Sequence, residues 1–216
     1  MFRILISLAI VLPAAATAQA PASEVARIVD GISDRLAGTR DMSADFVQVS
    51  GSLNRTHRDE GHVYLTGSGK ARWEYDHPET RLFVYDGNIS LEYRPEDNMA
   101  RIQRIGEDAY GRLPLMSVLG RRNLREEFQE FQLLTSAPQV EGASVLQAFP
   151  RRQSDIERIV IEADPQSFQV RRLFIEYVGG SSNDLIFDNV MTNTGLSDAL
   201  FEFVPPAGTD IVDALN

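Results

Sequence analysis

The sequence of 216 residues contains no cysteine and only one lysine, Lys70, among its 21 basic residues. The lack of cysteine excludes disulfide bonds, thiolate metal sites, a cysteine nucleophile and a lipid-modified cysteine. The 31 acidic residues give a formal net charge of −10, which argues against nucleic acid or an anionic membrane surface as the main partner. Hydrophobic residues make up 43% of the chain, enough for a sizeable core in one domain or two small ones.

The first residues have the composition of a secretory signal peptide. Arg3 precedes the apolar run 4–12, and Ala16-Thr17-Ala18 supplies a cleavage site of small residues. The apolar run has roughly half the length that a bilayer-spanning helix needs, so we expect no permanent anchor. We predict a signal peptide over residues 1–18, cleaved after Ala18, and a single domain over residues 19–216 in the periplasm.

The exported part begins with a helical pattern and continues with strands. Apolar residues recur at spacings of three and four from Val25 to Leu36, with Ser23 as the predicted N-cap and Gly38 as the predicted stop. The period then changes to two, which is typical of strands. The predicted strands lie near residues 44–50, 58–66, 70–76, 80–85, 88–94, 99–105, 130–135, 144–149, 157–163, 168–177 and 183–193. The turn signal Asp86-Gly87 favours an antiparallel meander.

About eleven strands in one sheet must curl or close, and the helices are the only elements that can cover the concave face. A second, short helix is predicted over the apolar segment 113–120, with Pro114 near its start and Gly120 at its end. Asn123 is a candidate cap for one further turn, through Phe128. The space between sheet and helices is either a packed core or a pocket, and composition alone leaves both open.

No pattern of residues indicates an enzyme or a metal protein. The G-x-S-x-G motif of the common α/β hydrolases is absent, and the histidines His57, His62 and His77 have no recognised ligand spacing. The stretch Gly67-Ser68-Gly69-Lys70 lacks the leading glycine and the following helix of a phosphate-binding loop, so we interpret it as a turn. We therefore expect a binding protein without metal or cofactor.

Several stretches match one known pattern in order along the chain. They are Gly61-His62-Val63-Tyr64-Leu65, Arg72-Trp73-Glu74-Tyr75 with His77-Pro78-Glu79, Asp86-Gly87 with Leu91-Glu92-Tyr93 and Pro95, Leu113-Pro114-Leu115-Met116-Ser117-Val118-Leu119, and Phe201-Glu202-Phe203-Val204-Pro205-Pro206-Ala207-Gly208-Thr209-Asp210-Ile211-Val212. In this order, and behind a leader peptide, they resemble the periplasmic outer-membrane lipoprotein carrier family, LolA.

The resemblance implies an incomplete antiparallel β-barrel of about eleven strands with a helical lid over its concave face. It implies a chaperone, not an enzyme, that receives lipoproteins from an inner-membrane ABC transporter, shields their acyl chains and passes them to an outer-membrane acceptor. We expect a monomer that binds no nucleic acid. The residues expected to bind acyl chains on the sheet are Trp73, Tyr75, Leu91 and Tyr93, and those expected in the lid are Leu115, Met116, Val118 and Leu119.

The sequence departs from the family at the residue that latches the lid. Members commonly carry a basic residue and a proline after the strand held here by Val63-Tyr64-Leu65, whereas this chain has Gly67 at the latch position. Arg72 and Lys70 are candidate substitutes. Two alternatives stay open: a carrier of another lipid or glycolipid with the same fold, and a sensor of mislocalised lipoproteins that regulates a signalling partner. The sensor interpretation requires an additional interaction domain, and we expect no room for one in a sequence of this length.

Overall fold

The computed structural model describes residues 21–52, 55–104 and 123–214. The predicted signal peptide and the predicted helix over 113–120 lie outside these ranges. Helix α1 spans Ala22–Ala37, helix α2 spans Leu124–Glu127, and a 3-10 helix spans Asp198–Phe201. The described strands are β1 Asp41–Ser52, β2 Arg55–Thr66, β3 Ala71–His77, β4 Arg81–Tyr85, β5 Ile89–Arg94, β6 Met99–Arg104, β7 Phe128–Leu134, β8 Ser144–Pro150, β9 Ile156–Ala163, β10 Val170–Tyr177, β11 Ser182–Thr192 and β12 Asp210–Ala214.

All described strands belong to one open sheet of 12 strands, in the order β12-β6-β5-β4-β3-β2-β1-β11-β10-β9-β8-β7. Strands β1 to β6 form one antiparallel meander and β7 to β11 form another, and the two are joined where β1 pairs with β11. The eleven predicted strands are confirmed. The count of about eleven misses β12, which lies parallel to β6 at the sheet edge.

Helix α1 packs on one side of this sheet, and we call that side the concave face. The helix buries Ile28, Val29 and Ile32 completely, each with 0% exposure, in one cluster with residues of the sheet. Its predicted N-cap is wrong: Pro21 occupies that position, and Ser23 lies in the first turn. Proline suits the start of a helix because its fixed φ fits and its missing N–H has no helical partner there. The predicted stop at Gly38 is confirmed.

The concave face of strands β8 to β11 is sealed by this packing. Its residues are aliphatic or aromatic, and each is exposed by 3% or less: Leu146, Ala148, Ile159, Ile161, Leu173, Ile175, Leu185 and Phe187. The opposite, convex face of the same strands carries ion pairs such as Arg171–Asp188 and Arg172–Asp184. The sheet therefore has one apolar and one charged side, and α1 covers only part of the apolar side.

Candidate functional site

The concave face of β1 to β4 carries a cluster of aromatic side chains. The ring of Phe46 meets Trp73 edge-on at 4.7 Å between centroids and Tyr75 at 5.2 Å, and Trp73 and Tyr75 stack at 6.3 Å. Strand register adds Phe83, because paired residues of neighbouring strands share a face and Phe83 pairs with Trp73. Tyr85 follows on the same side, opposite Ala71. These five aromatic residues are next to Val63 and Leu65, which are also buried.

Tyr75 combines an apolar ring with a polar end. Its hydroxyl donates a hydrogen bond of 3.4 Å to Oε1 of Gln48. Burial raises the pKa of Tyr75 from 10.0 to about 12, because the phenolate is poorly solvated there. The side chain is therefore neutral at any physiological pH, as an apolar surface requires.

The prediction that Trp73, Tyr75, Leu91 and Tyr93 share one face is wrong for the last two. Phe83 pairs with Glu92, so Leu91 and Tyr93 lie on the convex face. There the ring of Tyr93 lies 5.3 Å from that of Phe203, and Leu91 is 8% exposed. The chain after β11 covers this part of the convex face, which explains why β5 is apolar on the side away from α1.

Sequence reasoning missed Phe46, Phe83 and Tyr85, although the hairpin of β4 and β5 contained the signal for the last two. In the observed turn Tyr85 pairs with Ser90, so Phe83 lies opposite an even-numbered residue of β5. A two-residue turn at Asp86-Gly87 would also place Phe83 opposite an even-numbered residue. With either turn, Phe83 and Leu91 therefore lie on opposite faces of the sheet. Alternation within each strand identifies two faces, but only the pairing between strands tells which faces belong together.

The two candidate latch residues, Arg72 and Lys70, have partners on the 3-10 helix. Nη1 of Arg72 donates to the carbonyl oxygen of Leu200 at 3.1 Å, and Nζ of Lys70 lies 2.9 Å from Oδ1 of Asp198. Arg72 alternates with Trp73 in β3, so it belongs to the convex face. Both side chains thus hold the C-terminal segment against the sheet, and the structure gives neither a described contact on the concave face.

Gly67 lies beside the connection between α1 and β1. Its N–H donates to the carbonyl oxygen of Arg40 at 2.7 Å, and a Cβ at this position would lie 3.0 Å from the carbonyl oxygen of Thr39. A larger residue therefore requires a small shift of this connection. The predicted lid residues Leu115, Met116, Val118 and Leu119 lie outside the described residues.

A shallow groove of about 270 Å³ on the convex face is the other candidate site. It is lined by the polar residues Asp45, Glu60, His62, Asp76 and Asp188 around Val47 and Ile186. His62 lies 2.6 Å from Asp45, and both side chains are more than two-fifths exposed. Within the described ranges no group of three side chains is arranged to hold a metal ion. No described helix is both long and apolar enough to cross a bilayer.

Comparisons with known proteins point to one family. The family model described as "Outer membrane lipoprotein carrier protein LolA" matches residues 37–204. An outer-membrane lipoprotein carrier protein of Dechloromonas aromatica is 29% identical over 205 residues, 94% of this chain and 95% of that relative. One from Methylobacillus flagellatus is 27% identical, over 85% of this chain and 88% of the relative. An uncharacterized conserved protein of Thermus thermophilus shares the fold, with a TM-score of 0.53, 14% identity, and coverage of 89% of this chain and 98% of that one.

Proposed function

The chain belongs to the LolA family of outer membrane lipoprotein carrier proteins, and on that premise we propose that it carries lipoproteins across the periplasm with their acyl chains against the concave face of the sheet. Members of this family are carriers and not enzymes. The observation that supports a carrier best is the aromatic surface of β1 to β4, since α1 packs chiefly on the other half of the sheet.

The physical need for such a carrier is large. Burying a methylene group contributes about 0.8 kcal/mol, so an acyl chain of about 16 carbons costs on the order of 12 kcal/mol to expose to water. Unaided transfer between membranes is therefore negligible. A carrier must also release its cargo, which favours a broad apolar surface over a tightly fitting pocket.

We revise the acyl-binding surface that the sequence suggests. Trp73 and Tyr75 remain in it, and we add Phe46, Phe83 and Tyr85 because they share the concave face with that pair. Leu91 and Tyr93 leave it, because both lie on the other face, where Tyr93 packs against Phe203 of the C-terminal segment. This revised set is the proposed cargo surface.

Several further parts of the proposal rest on the family resemblance. The leader over residues 1–18 is cleaved after Ala18, and the mature protein of residues 19–216 works as a monomer. It receives cargo from an inner-membrane ABC transporter and delivers it to an outer-membrane acceptor. The apolar residues Leu115, Met116, Val118 and Leu119 cover the cargo surface as a lid.

Cargo identification tests the proposal. The protein is purified from its native periplasm without detergent, and the bound molecules are identified by mass spectrometry. We expect acylated lipoproteins. A glycolipid or another free lipid as the main ligand would support the alternative carrier, and recovery without any lipid would contradict both.

Variants of the lid test its part in capture. Met116→Asp or Leu119→Asp places a charge against the acyl chains, and desolvating that charge is costly. Each variant is expected to lose lipoprotein capture while keeping the circular dichroism of the sheet. Normal capture by both variants would remove the lid from the mechanism.

A further inference from the structure

The concave face changes from apolar to polar at the same level on several neighbouring strands. Along β1 the inward side chains run from Phe46 to Gln48, and along β11 they run from Leu185 to Asn183, in register with β1. Along β2, Asp59 takes the position that pairs with Gln48. The polar residues at this level form what we call the polar rim: Gln48, Ser50, Asp59, Tyr75, Arg81, Tyr177 and Asn183.

Hydrogen bonds connect one half of the polar rim. Nε2 of Gln48 donates to Oδ1 of Asn183 at 2.8 Å, and the hydroxyl of Ser50 donates to the same oxygen at 2.9 Å. The hydroxyl of Tyr75 completes this half by its bond to Gln48. These polar groups satisfy one another, so they fix the rim without requiring a ligand.

Arg81 and Asp59 form the other half. The Asp59 side chain is only 3% exposed, and its Oδ1 lies 2.8 Å from Nη2 of Arg81 and 3.0 Å from Nε2 of His57. The guanidinium group of Arg81 also lies over the ring of Tyr75, at 3.9 Å from its centroid. Arg81 is therefore held in place by an ion pair and an aromatic face, and its charge is balanced.

One donor of Arg81 is left without an acceptor. In the described parts of the chain, Nε of Arg81 is the single buried side-chain nitrogen or oxygen that has no hydrogen-bond partner. A buried donor of this kind is rare in folded proteins and calls for an explanation.

We propose that the polar rim binds the ester linkage of an acyl cargo, with Nε of Arg81 donating a hydrogen bond to an ester carbonyl oxygen. This inference rests on the proposed function. The missing group is an acceptor, and it is neutral because Asp59 already balances the guanidinium charge. Ester carbonyls meet both conditions. They lie where an acyl chain begins, so an ester at the rim places the acyl chain on the adjacent aromatic surface. The Arg81 side chain keeps 23% exposure, so part of it reaches the rim surface.

A pair of probes that differ only in the linkage tests this inference. One is a fluorescent lipopeptide with two ester-linked chains, and the other is its dialkyl ether analogue, which has no carbonyl. The mature chain is expected to bind the ester about 10-fold more tightly, the size of one hydrogen bond to a charged donor. Arg81→Lys keeps a cation beside Asp59 but loses Nε–H, so it should bind both probes with equal affinity. Arg81→Met should also lose the preference.

Arg58, on β2 next to Asp59, provides the matched control. Its side chain is 58% exposed and pairs with Glu60, and Arg58 alternates with Asp59, so it faces away from the rim. Arg58→Lys and Arg58→Met should keep the 10-fold preference. Because Arg81→Met leaves the buried Asp59 with His57 alone, circular dichroism checks the folding of this variant. If Arg81→Met is unfolded, Arg81→Lys decides the test.

The outcomes separate this inference from the proposed function. Equal binding of ester and ether by the unaltered protein, or a retained preference in Arg81→Lys, overturns the role of the rim while the carrier function stands. Binding of neither probe by the unaltered protein overturns the carrier function and the inference with it.

Discussion

Tyr75 joins the apolar and polar parts of the concave face in one side chain. Its ring packs on Phe46 and Trp73, its hydroxyl reaches Gln48, and Arg81 lies over its ring. Aromatic side chains with a polar end suit such boundaries, because the ring buries a large apolar area while the hydroxyl keeps a partner. The residue therefore marks the level at which acyl chains end and their linkage begins in our proposal.

Because the pKa of Tyr75 is raised, the free energy of unfolding is expected to depend on pH in the alkaline range. Below pH 10 the phenol is protonated in both the folded and the unfolded protein, so the contribution is fully present. Between about pH 10 and the folded-state pKa of about 12, the unfolded chain loses the proton first, and the free energy of unfolding falls. We expect Tyr75 to account for a fall of about 2 kcal/mol.

Urea unfolding at pH 9 and pH 11.5 measures this effect, with Tyr75→Phe as the comparison. The variant lacks the ionisable group, so its stability should decline less over the interval than that of the unaltered protein. Equal declines would show that Tyr75 ionises as freely in the folded state as in the unfolded one.

Phe83 and Tyr93 offer a matched pair of aromatic residues on opposite faces. Phe83→Ala removes a ring from the proposed cargo surface and should weaken lipopeptide binding about 10-fold, the effect of losing one well-packed apolar side chain. Tyr93→Ala removes a ring that packs on Phe203; it should cost about 2 kcal/mol of stability with unchanged binding. Fluorescence titration and urea unfolding of both variants distinguish the faces, and a larger binding loss in Tyr93→Ala would place the cargo on the convex side.

At the scale of elements, the C-terminal segment acts as a second cover of the sheet. The 3-10 helix buries Phe201 to 1% exposure, and Arg72 and Lys70 tie it to β3 and the turn before it. On the convex side, Leu82, Val84 and Ala100 are buried as well. Strand β4 is apolar on both faces, with Phe83 and Tyr85 on one and Leu82 and Val84 on the other.

Arg72 is expected to stabilise this cover and to leave cargo binding alone. Arg72→Ala removes its bond to the Leu200 carbonyl and should cost about 1 kcal/mol of unfolding free energy. Lys70→Ala breaks a pair with Asp198, whose side chain is 80% exposed, so it should cost less. Thermal unfolding and lipopeptide titration measure both quantities, and a change in lipopeptide release without a stability loss would restore Arg72 as a latch.

The elements differ in how well the sequence predicts them. The meanders were predictable because alternation and turn residues act locally, and the Asn123 cap was too: its side chain accepts a bond from the N–H of Arg125. Strand β12 has only five residues and pairs in parallel with β6, far away in the sequence. No local pattern specifies such a pairing. The same limit explains Tyr93, which is covered by Phe203, more than 100 residues later in the sequence.

At the scale of the whole molecule, the concave face is divided into two halves with different roles. Helix α1 fills the half made by β8 to β11, where side chains such as Ile161 and Leu173 have no exposure. The other half carries the aromatic surface and most of the polar rim, of which only Tyr177 and Asn183 lie on β10 and β11. In the second half Tyr75 and Phe83 are only partly buried, so we expect the cargo there and not in the close-packed half under α1.

Hydrogen exchange measured by mass spectrometry checks this division. Saturation with the ester-linked lipopeptide should slow amide exchange in β1 to β5 and leave β8 to β10 unchanged, because ligand binding protects the segments whose local opening it suppresses. Tyr93→Ala should show the same pattern, since its binding is expected to be intact. Protection centred on β8 to β10 would mean that α1 moves aside to admit the cargo.

The order of the sheet has a mechanical consequence. Its terminal strands, β12 and β7, are not neighbours among the described strands, so the described sheet is open between them. A closed barrel has a circumference that is fixed by its strand number and stagger. An open sheet can change its curvature while every hydrogen bond between its strands stays intact. We therefore expect its capacity to adjust to larger or smaller cargo.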